Sequence, residues 1–194
     1  MISLDLGLFA DYHQIHLIDD GSTSDLGEAW TGEASLDRLA VANDAIAVGT
    51  SVNVTVAVRV EVLDAPPADD LADFDHVAEG SMQVPSGRIV IMGCTDYEPD
   101  ATRFRVPAGP IRVRVASSNL AEAERLGIDS DDSQQTMERL RVQVWPAATG
   151  EPVVLKRWNR RSLSDCAEDS VHCDRVKCLV GRECQACPRT GQPV

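Results

Sequence analysis

Between Val52 and Val62 the chain reads VNVTVAVRVEV, with valine at positions 52, 54, 56, 58, 60 and 62. Asn53, Thr55, Ala57, Arg59 and Glu61 stand between them. Successive side chains of a strand point to opposite faces, so one face is wholly β-branched and the other mostly polar. A helix would spread those valines around its circumference. The pattern predicts a half-buried strand, long enough to cross the middle of a sheet, with its even valines buried and Arg59 and Glu61 exposed.

The same alternation recurs along the chain. Ile2 to Leu8 reads as a strand, and Ala10 to Asp20 as a second, with His13, Ile15 and Leu17 on one face before an Asp-Asp-Gly-Ser turn. A short helix is expected from an N-cap at Ser35, with Leu36, Leu39 and Ala40 on its inner side. Ala45 to Val48 is a short strand leading through Gly49 into the valine strand. Asp64-Ala65-Pro66-Pro67 ends that strand. Asp69 to Glu79 is expected to loop. Met82 to Val84, Arg88 to Met92, Phe104 to Val106, Ile111 to Val115, Leu140 to Val144 and Val153 to Trp158 complete about nine strands. Leu120 to Leu126 allows a helical turn or two before Gly127. Many short strands, frequent turns and little helix predict an all-β, antiparallel β-sandwich or jelly-roll-like domain over residues 1–158. From Asn159 the alternation gives way to cysteine, arginine and polar residues, so residues 159–194 are expected to form a Cys-rich tail that need not be ordered.

Composition sharpens this picture in two respects. Hydrophobic residues make up 43% of the 194, too many for a disordered chain, and no apolar run approaches a membrane span. The start, MISLDLGLFADYH, lacks the basic residues and long apolar stretch of a signal peptide, which predicts a cytoplasmic protein with reduced thiols. The charge is unevenly divided. Residues 1–155 hold 10 arginines against 26 acids, a net −16, whereas residues 156–194 hold 8 cations against 5 acids, a net +3. Such an acidic body repels nucleic acid backbones and anionic membranes and attracts basic proteins, faster at low salt. The alternative is that the acid serves solubility alone.

Candidate chemistry is sparse. Cys173, Cys178, Cys184 and Cys187 could supply four thiolates to a structural zinc, the only cofactor the sequence points to. The Cys184-Gln185-Ala186-Cys187 pair fits a zinc knuckle, but the first pair is spaced more widely than usual, and free thiols in a loose tail are the other reading. His13 and His16 would fall on opposite faces of a strand and so do not converge. His76 with Asp73 and Asp75 reads as a solvated acidic loop rather than a cation site. Asp129, Asp131 and Ser133 have EF-hand spacing, but Gln134 stands where glycine is needed and Leu140 where glutamate is. Cys94 has no histidine beside it in sequence. No phosphate-binding glycine loop and no nucleophile elbow are present, so no enzymatic activity is expected. The acids best placed to meet a partner lie in loops: Asp69, Asp70, Asp73 and Asp75 in one group, Asp129, Asp131 and Asp132 in another.

Asp11-Tyr12-His13-Gln14, followed by Trp30-Thr31-Gly32-Glu33-Ala34, resembles the N-terminal part of the competence protein J family. Later pieces follow a similar order: the long valine strand, the basic-apolar strand Arg88 to Met92, and Phe104-Arg105-Val106-Pro107-Ala108-Gly109. The resemblance covers about residues 1–145 and has no counterpart for the tail. It implies a small bacterial, acidic, β-rich inhibitor of a DNA-entry nuclease, whose partner is a basic protein and not nucleic acid. An immunity protein against a nuclease toxin is the nearest variant. A small-ligand-binding or structural β-sandwich, and a metal-binding regulator built on the cysteines, are the competing classes.

Overall fold

The computed structural model describes residues 2–159. Cys173, Cys178, Cys184 and Cys187 lie outside the described residues, as does the expected tail from residue 160 onward. Eleven strands are present among the described residues: β1 (Ile2–Phe9), β2 (Gln14–Asp19), β3 (Leu39–Val41), β4 (Ala45–Gly49), β5 (Thr55–Val62), β6 (His76–Val84), β7 (Arg88–Gly93), β8 (Thr102–Arg105), β9 (Gly109–Ser118), β10 (Arg139–Pro146) and β11 (Val153–Lys156). Three short α-helices accompany them: α1 (Leu26–Ala29), α2 (Gly32–Asp37) and α3 (Leu120–Leu126). A six-stranded sheet has the order β1-β5-β10-β9-β6-β11, and a five-stranded sheet the order β3-β4-β2-β7-β8.

The two sheets share one apolar core. Val56, Val58 and Val60 of β5, Val113 and Val115 of β9 and Leu140, Val142 and Val144 of β10 meet Ile15, Leu17, Ile46, Ile89 and Ile91 of the other sheet. Each valine so buried contributes on the order of 1.5–3 kcal/mol over leaving it in water. Val52 and Val54 are buried as well, although β5 begins only at Thr55. The predicted two-sheet, predominantly β architecture is the one observed. Behind the five-stranded sheet, α1 and α2 cover a second, smaller cluster built on Leu26, Ala40, Ala45 and Ala47.

Several local expectations are corrected. The valine strand is second from an edge rather than central, and its pairing with β10 is parallel, because β10 returns to it only after four intervening strands. Glu61 is half-buried, since it accepts from Gln143 and Arg59 on the outer face of the sheet. The helix expected from Ser35 lies earlier: the N–H of Ala34 donates to Thr31 Oγ1 at 3.0 Å, making Thr31 the cap, and the helix ends at Asp37, so Leu36 is exposed and Leu39 and Ala40 belong to β3. Ala10 to His13 is not strand. Asp11–His13 is a single 3-10 turn, and Tyr12 and His13 both take positive φ (51° and 58°), so His13 does not share the face of Ile15 and Leu17. The acidic loop after Asp69 stops at Asp75. His76 opens β6 and is buried, because the strand it begins is paired on both sides.

Candidate protein-binding end

The strand registers bring one set of loops together. β1 ends opposite the start of β5, β10 begins beside Ala57 and Ser118, β2 begins opposite the end of β4, and Gly93 closes β7 beside Ile15. The connections 10–13, 50–54, 94–101 and 119–138 therefore emerge at the same end of the sandwich. Gly93 permits the closeness: a Cβ there would run into the carbonyl oxygen of Phe9.

An ion pair ties this end together. Arg38 caps α2 with φ 54°. Its guanidinium donates to Glu138 Oε1 (2.6 Å), to Ser51 Oγ (2.8 Å) and to the carbonyl oxygen of Gly49 (3.1 Å). The other carboxylate oxygen of Glu138 accepts from the Ser51 N–H at 2.7 Å. Glu138 is fully buried, and burial pushes its carboxyl up while Arg38 and backbone N–H groups pull it partly back. Charges removed from water persist only when paired and hydrogen-bonded, so this cluster is structural. The sequence held a signal for it. Glu138 shares the parity of Leu140, Val142 and Val144, and an acid in the inward register of a strand requires a buried partner.

The two pieces that carried the resemblance meet here. Trp30 Nε1 donates to Gln14 Oε1 at 2.7 Å. Beyond Gln14 the chain is held by two further bonds, from the Thr50 N–H to the His13 carbonyl oxygen (2.8 Å) and from the His13 N–H to Asn53 Oδ1 (3.2 Å). Two successive left-handed residues that are not glycine store strain of order 1–3 kcal/mol each. They turn Tyr12 outward, 73% exposed. Phe9 and Tyr97 are exposed at the same end. Asp11 and Asp96 flank Cys94, whose thiol donates to the Asp11 carbonyl oxygen at 3.0 Å. Burial and these two acids push the thiol pKa up, which keeps it protonated and a poor nucleophile.

The predicted acids divide between two places. Asp129 and Asp132 are exposed at the loop end, in a 3-10 segment spanning Gly127–Asp132. Asp131, between them, accepts from the Thr55 N–H at 3.1 Å and so anchors that segment to β5. The first group does not join them. Asp70 pairs with Arg141 at 2.6 Å on the outer face of the six-stranded sheet, where Phe74 stacks on the same guanidinium. Asp75 accepts from the Leu120 N–H at 3.0 Å, at the start of α3. Asp69 and Asp73 are exposed. His76 does not join Asp73 and Asp75 in a cation site: Nε2 donates to the Asp37 carbonyl oxygen (2.9 Å) and Nδ1 accepts from the Trp158 N–H (3.3 Å), which fixes a neutral ring.

Eight of the ten arginines before residue 156 are ion-paired with acids of the chain: Arg38, Arg59, Arg88, Arg103, Arg112, Arg114, Arg125 and Arg141. What remains for the surroundings is acidic. No group of three His, Cys, Asp or Glu among the described residues is arranged to hold a metal ion. No helix among them is long and apolar enough to cross a membrane.

No family model matches the chain, and no curated protein matches it. Among solved structures it is similar to ComJ, inhibitor of the DNA degrading activity of NucA, from Bacillus subtilis, at 15% identity and a TM-score of 0.56, over 74% of this chain and 96% of that one. It is also similar to a protein described as crocagin biosynthetic gene J, at 17% identity and a TM-score of 0.49, over 75% of this chain and 96% of the other. The resemblance read from Tyr12-His13-Gln14 and Trp30-Thr31 thus holds at the level of fold.

Proposed function

We propose that this protein is a non-enzymatic inhibitor that binds a basic nuclease through the acidic loop end of its sandwich. One observation carries the reading: exposed Phe9, Tyr12 and Tyr97 stand at the same end as Asp11, Asp96, Asp129 and Asp132, while eight arginines are engaged within the chain. Exposed tyrosines supply contact area at small entropic cost, and surrounding acids steer a basic partner. The fold shared with an inhibitor of a DNA-degrading activity supports the same reading. Direct nucleic acid binding is disfavoured by the net −16 of residues 1–155. The tail cysteines, Cys173, Cys178, Cys184 and Cys187, are left to the separate proposal of a structural zinc.

The test is capture of basic proteins from the native host at low and at high salt, followed by nuclease assays on whatever is recovered. A nuclease that loses activity when saturated with this protein is the expected result. A recovered nuclease that stays fully active, or the absence of any basic partner at low salt, sinks the reading.

A further inference from the structure

The four sheet edges differ in how they are protected. β3 has three residues. β8 has four, two of them Arg103 and Arg105, and Pro107 follows. β11 has four, with a register shift between Val154 and Lys156 and Pro152 before it. Short strands, charges, prolines and bulges are the usual devices that stop an edge from pairing. β1 is long, has no proline and no bulge, and its single charge, Asp5, is paired with Arg59 of the neighbouring strand. It runs for eight residues in unbroken register with β5, from Ile2 opposite Val62 to Phe9 opposite Thr55.

We infer that the edge of β1, unpaired among the described residues, is a strand-addition site for an extended, alternately apolar and basic segment of a partner protein. The Ala10 N–H donates to the Val54 carbonyl oxygen, which continues the set of even-numbered residues bonded to β5. The N–H and C=O groups of Ser3, Asp5 and Gly7 therefore point away from β5, along the edge. On the inner side of this strand Ile2 and Leu4 are 53% and 43% exposed, uncovered by the five-stranded sheet. On the outer side a groove of about 420 Å3 is floored by Gly7 and Ala57 and walled by Asp5, Arg59, Met137 and Arg139. An added strand would cover Ile2 and Leu4 with alternate apolar side chains. A long side chain opposite Gly7 would lie along the groove floor, with the Asp5 carboxylate at its wall.

Charge selects the occupant. A second copy would bring a like net charge of −13 against the first, whereas a basic segment is attracted. The inference rests on the functional reading above only for the basic character of the partner. The strand edge supplies the mode of attachment.

The probe is a synthetic peptide as long as β1 that alternates valine with lysine, added in excess to the full chain at low salt. Amide hydrogen exchange at Ser3, Asp5 and Gly7 is expected to slow by about tenfold or more. Gly7→Leu is expected to abolish the response while leaving the melting temperature nearly unchanged, because a Cβ at Gly7 meets only Thr55 Cγ2, at an ordinary 3.5 Å. Ser3→Pro should do the same by removing an edge N–H that bonds nothing in the sheet. Unchanged exchange at the three amides overturns the inference, as does a β1-dependent dimer in sedimentation that excludes the peptide. With a captured nuclease, inhibition undiminished by Gly7→Leu overturns the edge but leaves the inhibitor reading standing. If wild type inhibits no nuclease, the inhibitor reading falls and the peptide experiment decides the edge by itself.

Discussion

The outer face of the six-stranded sheet and the loop end are both rich in charge, yet they use it in opposite ways. On the sheet, Glu79 binds Arg112 and Arg114 at 3.1 and 2.8 Å, Asp70 binds Arg141, and Glu61 and Asp5 hold Arg59. Arg141 and Arg114 also lie over the rings of Phe74 and Trp145. Away from the β1 edge, where Asp5 stays exposed, this face is a network that closes on itself. At the loop end the one buried acid, Glu138, is locked by Arg38, while Asp129 and Asp132 face solvent. Charge held in a network fixes structure and is hidden from a partner. Charge left on loops costs the fold little and sets the long-range field.

The comparison turns on what a buried carboxylate requires, and its hardest test places one where no guanidinium waits. Val56 is fully buried in the shared core. Val56→Asp is expected to unfold the domain, since an unpaired buried carboxylate costs several kcal/mol or forces its own protonation. Loss of the cooperative thermal transition checks it, and a variant that still melts near the wild-type temperature refutes the core assignment.

Arg38→Ala asks the same question at the loop end. It leaves Glu138 buried and without its cation, which is expected to cost about 3–5 kcal/mol in urea unfolding. The sign with pH follows from the direction of the shift. Burial already raises the Glu138 pKa above 4.5, and loss of Arg38 raises it further. Stability tied to the protonated acid is fully present below the unfolded pKa and lost as pH rises through the folded one. The deficit of Arg38→Ala should therefore shrink toward acid pH, and Glu138→Gln in the same chain should flatten that trend.

These two residues also mark where reading the sequence stops. Val56 was legible because alternation is local: its neighbours in sequence identify the face it occupies. Arg38 and Glu138 lie 100 residues apart, and their meeting depends on β3 and β10 beginning, in different sheets, at the same end. The parity of Glu138 hinted that it is buried, but nothing local named its partner. The same limit governs the acids. Asp69, Asp70, Asp73 and Asp75 read as one cluster, yet Asp70 and Asp75 are each held by groups far along the chain. The cap of α2 is Thr31, four residues before Ser35, and both hydroxyl residues carry the same local capping chemistry. Tyr12-His13-Gln14 and Trp30 could be identified as pieces, while their joining through Gln14 and Trp30 needed the fold.

On the sheet face, Glu79→Gln removes the carboxylate that two guanidiniums share. Both arginine side chains are 12% exposed, so they keep part of their hydration and their other acceptors, Ser81 Oγ and the Ala68 carbonyl oxygen. The expected loss is about 1–3 kcal/mol, smaller than for Arg38→Ala. An equal or larger loss in urea unfolding would mean that the sheet network, and not the loop-end lock, is the more critical charge cluster.

His76 sits where β6 meets Trp158, and burial first, then Arg38 and Arg157, lower its pKa below 6.5 against the opposing pull of Asp37. A depressed histidine favours folding when neutral. Its contribution is full above pH 6.5 and declines as pH falls, because the unfolded chain takes up the proton first. Stability measured from pH 7 downward should drop, and His76→Gln should remove part of the slope. A slope unchanged in His76→Gln would assign the pH dependence to other groups.

The smallest effect on folding should accompany the largest effect on encounter. Asp129→Asn with Asp132→Asn changes two exposed acids at the loop end, so stability should stay within about 0.5 kcal/mol of wild type. Association with a basic partner should slow and lose part of its salt dependence, while dissociation changes little, because exposed charges act at long range before contact. Asp70→Asn is the control from the other region. It breaks a pair with Arg141 that is partly shielded from solvent, and should therefore lower stability while leaving the association rate nearly unchanged. Stopped-flow association at two ionic strengths, set beside urea unfolding of the same variants, separates the two regions. If Asp70→Asn slows encounter as much as the loop-end pair does, the division between charge that builds and charge that attracts is wrong for this molecule.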